Sequence, residues 1–132
     1  MFQIGELAKR CDVSTDTLRF YEKNGLIVPA GRSESGYRLY NADNQHQVIF
    51  ILKAKAVGLS LDDIKELLDI RLEVTEHSCA EVKAITTAKL TLIDDKLQEL
   101  QRIRLALKKI NDACCGKAEQ DASHCSILSA LE

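Results

Sequence analysis

The chain has 132 residues and a mass of 14.7 kDa, which is room for one small domain with an appended helix and too little for a large enzyme. Hydrophobic residues at 45% and charged residues at 29% are a globular balance, while one Pro, no Trp and 5% aromatics exclude the make-up of a sandwich or barrel and favour a mainly α chain. The formal charge of -2 is unevenly spread: residues 1–60 carry 8 Lys+Arg against 6 Asp+Glu and residues 61–132 carry 10 against 14, so phosphate contact belongs to the first half.

Ile4, Leu7, Ala8 and Cys11 fall at helical spacing. Ser14 then stands where it caps a second helix over residues 15–23, which carries Leu18 inward and closes at Asn24-Gly25. Two short helices joined by a tight turn are helix-turn-helix spacing. Pro29, Gly31 and Gly36 mark turns, and residues 32–40 read as a small hairpin, a wing beside that motif. Residues 43–57 form a third helix whose buried face is Val48, Ile49, Ile51, Leu52 and Ala56. Ser60-Leu61-Asp62-Asp63 opens a fourth like a capping box, with Ile64, Leu67, Leu68 and Leu72 as its stripe.

After the polar break Thr75-Glu76-His77-Ser78, residues 79–113 hold neither Gly nor Pro. Leu90, Ile93, Leu97, Leu100, Ile103, Leu107 and Ile110 step by 3, 4, 3, 3, 4 and 3, one apolar seam on a helix about 50 Å long. So long a seam cannot be buried inside so small a domain, and a second copy of the chain is the expected cover, in either orientation. No apolar run reaches the roughly 18 residues of a membrane span and the opening residues lack a signal-peptide pattern, so a soluble, cytoplasmic protein without membrane partners is expected.

In the second helix, Thr17 leads while Arg19 and Tyr21 project from the outer turns, within reach of a major groove. Tyr37 and Arg38 on the hairpin suit flanking phosphates. Five cysteines are an odd number, four of them (Cys79, Cys114, Cys115, Cys125) in the second half, and adjacent thiols in a reducing compartment point to metal or redox chemistry rather than to disulfides. Cys114, Cys115 and Cys125 bracket a polar loop, a clip for metal. Cys11 reads as core, and His46 and His77 as surface or helix-start residues. No triad, P-loop or dinucleotide motif is present, so no enzyme is expected.

Ile4-Gly5-Glu6-Leu7-Ala8, Thr17-Leu18-Arg19-Phe20-Tyr21-Glu22-Lys23, Gly25-Leu26, Arg32 and Gly36-Tyr37-Arg38-Leu39-Tyr40, with Cys114-Cys115 and Cys125-Ser126-Ile127-Leu128, resemble the MerR transcriptional regulators along nearly the whole chain. The resemblance is greatest to the branch that responds to zinc, cadmium or lead. It implies a winged helix-turn-helix DNA-binding domain with its connecting helices (1–75), an antiparallel dimerisation helix (76–113) and a metal-binding loop with a short C-terminal helix (114–132). By the same resemblance Arg19 and Tyr21 contact DNA from the recognition helix, and Arg32, Tyr37 and Arg38 from the wing. Promoter DNA, RNA polymerase and a second copy of the chain are the implied partners.

Antiparallel pairing brings Cys79 of one subunit beside Cys114 and Cys115 of the other. Two thiolates alone suit Cu(I), whereas a third S or N ligand suits a divalent ion, so Cys79 argues for a divalent metal: zinc first, with cadmium or lead as alternatives. Glu119 stands where zinc-responsive members carry His, which leaves His124 and Glu119 both open as the further ligand. The function expected is a metal-responsive regulator that activates its promoter by distorting the DNA. The alternatives are a redox-sensing DNA-binding regulator using the same thiols and a thiol or metal carrier, which leaves Arg19 and the wing unused.

Overall fold

A computed structural model describes residues 1–114, 116–118 and 120–132. They form two compact units, Met1–Lys89 and Leu90–Glu132.

The first unit opens with α1 (Ile4–Cys11) and α2 (Thr15–Lys23). Asp12 takes the left-handed conformation that ends α1, and Ser14 starts α2 by accepting the Thr17 N–H at 3.1 Å, as its place in the sequence predicts. Gly25, at φ +75°, lets the Leu26 N–H return to the Tyr21 carbonyl at 2.9 Å and closes α2. The wing is a two-stranded antiparallel hairpin, β1 (Gly31–Arg32) and β2 (Arg38–Leu39), with Arg32 opposite Arg38. Gly36 turns it at φ +86°. Phe2 bridges Tyr40 just beyond β2, which ties the start of the chain to the base of the wing.

Two further helices follow, α3 (Ala42–Ala56) and α4 (Leu61–Leu72). Both begin with reciprocal capping boxes, Asn41 with Asn44 and Ser60 with Asp63. Leu7, Leu18, Tyr21, Ile27, Tyr40, Val48, Ile51 and Ile64 make the centre of the core. At about 25 cal/mol per Å², sealing so many large side chains is what holds four short helices and a four-residue sheet together. Two stripe assignments need correction. Ala56 and Leu72 are exposed, and Ala54 and Ile70 are buried instead, because Ala56 and Leu72 are the last residues of their helices, where the chain turns away.

After a 3-10 turn at Val74–Glu76 comes α5 (Cys79–Asp112), 34 residues without a buried side chain. It starts on a third capping arrangement: Ser78 Oγ accepts the Glu81 N–H, and the Glu81 carboxylate accepts the Ser78 N–H. His77 Nδ1 lies 2.7 Å from the same carboxylate, a partner that holds Glu81 below its ordinary pKa. His77 is thus occupied at the helix start. The second unit ends with a 3-10 turn, Ala122–His124, and α6 (Ser126–Leu131). No helix among the described residues is long and apolar enough to cross a membrane.

Candidate nucleic-acid interface and thiolate loop

The outer face of α2 and the wing enclose a cleft of about 680 Å³ lined by Arg19, Lys23, Arg32 and Arg38, with Glu22, Pro29 and Gly31. Four cations against one carboxylate make it a surface for phosphate. The three arginines are set differently. Arg19 pairs with Asp16 one turn back at 3.2 Å, which fixes the guanidinium on the exposed face of α2. Arg32 Nη1 donates to the Gly36 carbonyl at 2.9 Å and stiffens the tip of the hairpin. Arg38 Nη1 lies 3.3 Å from Glu22 Oε2. Tyr37 is 62% exposed at the turn of the wing, and Thr17 Oγ1 lies 2.9 Å from the capping hydroxyl of Ser14.

One predicted contact is misplaced. Tyr21 does not project outward: its ring is 1% exposed, packed in the core with Lys55 Nζ 5.8 Å from its centroid. The spacing held the signal, since Tyr21 follows the inward Leu18 by three residues and so shares its face. Asn44 was not read from the sequence at all. It is 4% exposed and donates to the Val28 carbonyl at 2.8 Å, pinning the segment that leads into the wing to the start of α3. Its mark in the sequence is the Asn-x-x-Asn repeat at 41 and 44.

In the second unit the loop after α5 brings two of the expected ligands together, with Cys125 Sγ 4.0 Å from Cys114 Sγ. Sulfurs on adjacent corners of a tetrahedral zinc site, each about 2.3 Å from the ion, stand about 3.8 Å apart, so this pair fits a shared metal with a shift of tenths of an ångström. The Gly116 N–H donates to Cys114 Sγ at 3.4 Å. The N–H groups of Leu128 and Ile127, at the opening of α6, draw the Cys125 thiol below its ordinary pKa, so more of it is the thiolate that binds metal. Asp121 Oδ1 accepts the Ser123 N–H at 3.0 Å and shapes the loop, and the Ser123 hydroxyl first, then this N–H, lowers the Asp121 pKa.

His124 lines a hollow together with Cys114 and Cys125, yet among the described residues no third Cys, His, Asp or Glu joins the two sulfurs as a ligand group. Cys115 and Glu119 lie outside the described residues. Cys79, in the first unit, is exposed as the first residue of α5. Cys11 is buried, and that burial raises its pKa, as suits an inert core thiol.

Residues 3–40 match the MerR family regulatory protein family, and residues 45–110 match the family described as MerR, DNA binding. The chain is 42% identical over 132 residues to the HTH-type transcriptional regulator ZntR of Escherichia coli (strain K12), covering 100% of this chain and 93% of that protein. It is 33% identical over 130 residues to the mercuric resistance operon regulatory protein of Bacillus cereus, covering 98% and 96%. Among solved structures, the lead(II) complex of the transcription regulator PbrR691 from Ralstonia metallidurans CH34 is similar with a TM-score of 0.87 at 33% identity, covering both chains fully.

Proposed function

Since the chain belongs to the MerR family, as a metal-responsive transcriptional regulator and not an enzyme, we propose that it is a dimeric switch that reads a divalent ion through thiolates and answers by distorting promoter DNA. The observation that carries the metal part is the Cys114–Cys125 sulfur pair, spaced for one ion. PbrR691 was solved with lead(II) and the Bacillus cereus relative is named for mercuric resistance, which supports a soft or borderline divalent ion here. Zinc is the first assignment, and cadmium or lead the alternatives.

The working parts are a DNA-binding portion (1–75), a dimerisation helix (76–113) and a sensing loop (114–132). Thr17 and Arg19 face the groove, while Arg32, Tyr37 and Arg38 hold flanking phosphates. The seam from Leu90 to Leu107 is exposed along a single chain, which favours pairing of two α5 helices. Paired antiparallel, they bring the partner subunit's Cys79 to the Cys114–Cys125 loop. Cys115 and either His124 or Glu119 complete the ligand set. The ion's contribution is to join thiolates of two chains, which makes occupancy and dimer geometry one equilibrium. Each wing and recognition helix then shifts its phosphates, and the promoter between the half-sites is untwisted for RNA polymerase in the cytoplasm.

The test is transcription from the cognate promoter in metal-buffered solution. Zinc, cadmium or lead should switch the promoter on while affinity for the operator changes little, and Cys114→Ser should remove the switch but keep DNA binding. Activation by oxidant in chelated buffer would replace the metal reading with a redox one.

A further inference from the structure

Among the described residues lining the cleft between α2 and the wing, Glu22 is the one acid. Coulomb's law alone disfavours a carboxylate on a surface that meets phosphate. Yet its side chain is only 15% exposed, and its Oε2 lies 3.3 Å from Arg38 Nη1. Among the described residues every other ion pair joins residues three or four apart on a single helix or its start. The Glu22–Arg38 pair instead ties α2 to β2. Behind it stands Tyr40, fully buried, whose hydroxyl has no hydrogen-bond partner among the described residues. Burial raises the Tyr40 pKa first, and the charge of the nearby Glu22 carboxylate and its interaction with the hydroxyl raise it further, so Glu22 neighbours Tyr40 as well as Arg38.

We infer that Glu22 is a positioning residue for DNA: it fixes the Arg38 guanidinium at a set distance from the recognition helix and leaves its outward N–H groups to a backbone phosphate. Arginine has five donors in a rigid fork, enough for a carboxylate on one edge and a phosphate on the other, and Arg38 is half exposed. The inference rests on the reading that this cleft receives DNA, and its sign opposes simple electrostatics: removing the negative charge should weaken binding.

The experiment measures affinity of the full-length protein for its operator duplex against salt concentration, for Glu22→Gln, Arg38→Ala and the double variant, with thermal midpoints to confirm folding. Glu22→Gln should weaken binding about tenfold and flatten the log–log salt slope by about 0.9, as expected when one phosphate contact is lost. In the Arg38→Ala background the same substitution should change affinity less than about twofold, because nothing is left to position. Arg38→Lys, which leaves Glu22 untouched, should lose nearly as much as Arg38→Ala, since one ammonium cannot serve both edges. Tighter or unchanged binding by Glu22→Gln overturns the inference, as does an equal loss in both backgrounds or parental binding by Arg38→Lys. If Arg38→Ala itself binds like the parent, the DNA interface falls with it; if Arg38→Ala weakens binding and Glu22→Gln does not, only the role of Glu22 falls.

Discussion

In residues 1–89 fifteen hydrophobic side chains are buried, from Leu7 to Ile70, whereas none of the described residues in 90–132 is buried at all. The two regions do not differ in the quality of their apolar pattern. The stripe on α5 is longer and more regular than any on α1 to α4. They differ in where the partner surface lies. The first unit closes on itself: Leu7, Leu18, Tyr40 and Ile64 from different elements meet in one cluster. The second offers a seam whose leucines and isoleucines from Leu90 to Leu107 are exposed. A head that packs its own core and an arm whose seam lies exposed along a single chain are the division of labour the proposed switch needs.

The sharpest way to break that contrast is to spoil the seam. Leu100→Glu buries a charge at the centre of the proposed dimer and should weaken it by about a thousandfold or more, on the order of 4 kcal/mol. Sedimentation at micromolar concentration should then give the 14.7 kDa monomer where the parent gives twice that. A parent that sediments as a monomer would end the comparison.

Truncation separates the regions next. Leu18→Ala should cost about 2–5 kcal/mol in urea denaturation, since the removed methyls are fully enclosed. Leu107→Ala, made in the monomeric Leu100→Glu background, should cost less than about 0.5 kcal/mol because water already reaches that side chain. A large loss at Leu107 would mean that the seam is covered within one chain.

A smaller effect is expected at the helix starts. Ser60→Ala removes half of the capping box on α4 and should lower stability by about 1 kcal/mol. The two classes of thiol give the finest distinction. In metal-free buffer Cys125, whose pKa is lowered by the amides of α6, should be alkylated at a pH below that needed by an ordinary thiol. Cys11, whose pKa burial raises, should stay unmodified until the protein unfolds. Peptide mass spectrometry across a pH series reads both.

Much of the head was legible because its signals are local. Ser14 and Ser60 announce their helices by hydroxyls at the residue before the first turn, and both make the expected bonds. The wing follows from glycines at 31 and 36 between short hydrophobic runs. Tyr21 was misread because an aromatic beside Arg19 suggests a contact, while its three-residue step from Leu18 places it inside. The Glu22–Arg38 pair joins residues sixteen apart on different elements, which no periodicity reports. In the sensing loop the sequence names the cysteines, but only the chain's path sets Cys114 and Cys125 4.0 Å apart.

Subunit exchange tests the shared site most directly. Cys79→Ser and Cys114→Ser homodimers should each bind operator DNA and each fail to respond to a buffered divalent ion. Mixing and exchanging the two should restore one intact site per heterodimer, seen as recovered metal binding and metal-dependent transcription. A verified heterodimer with no recovery, or a Cys79→Ser homodimer that responds like the parent, would contradict a site built from both chains.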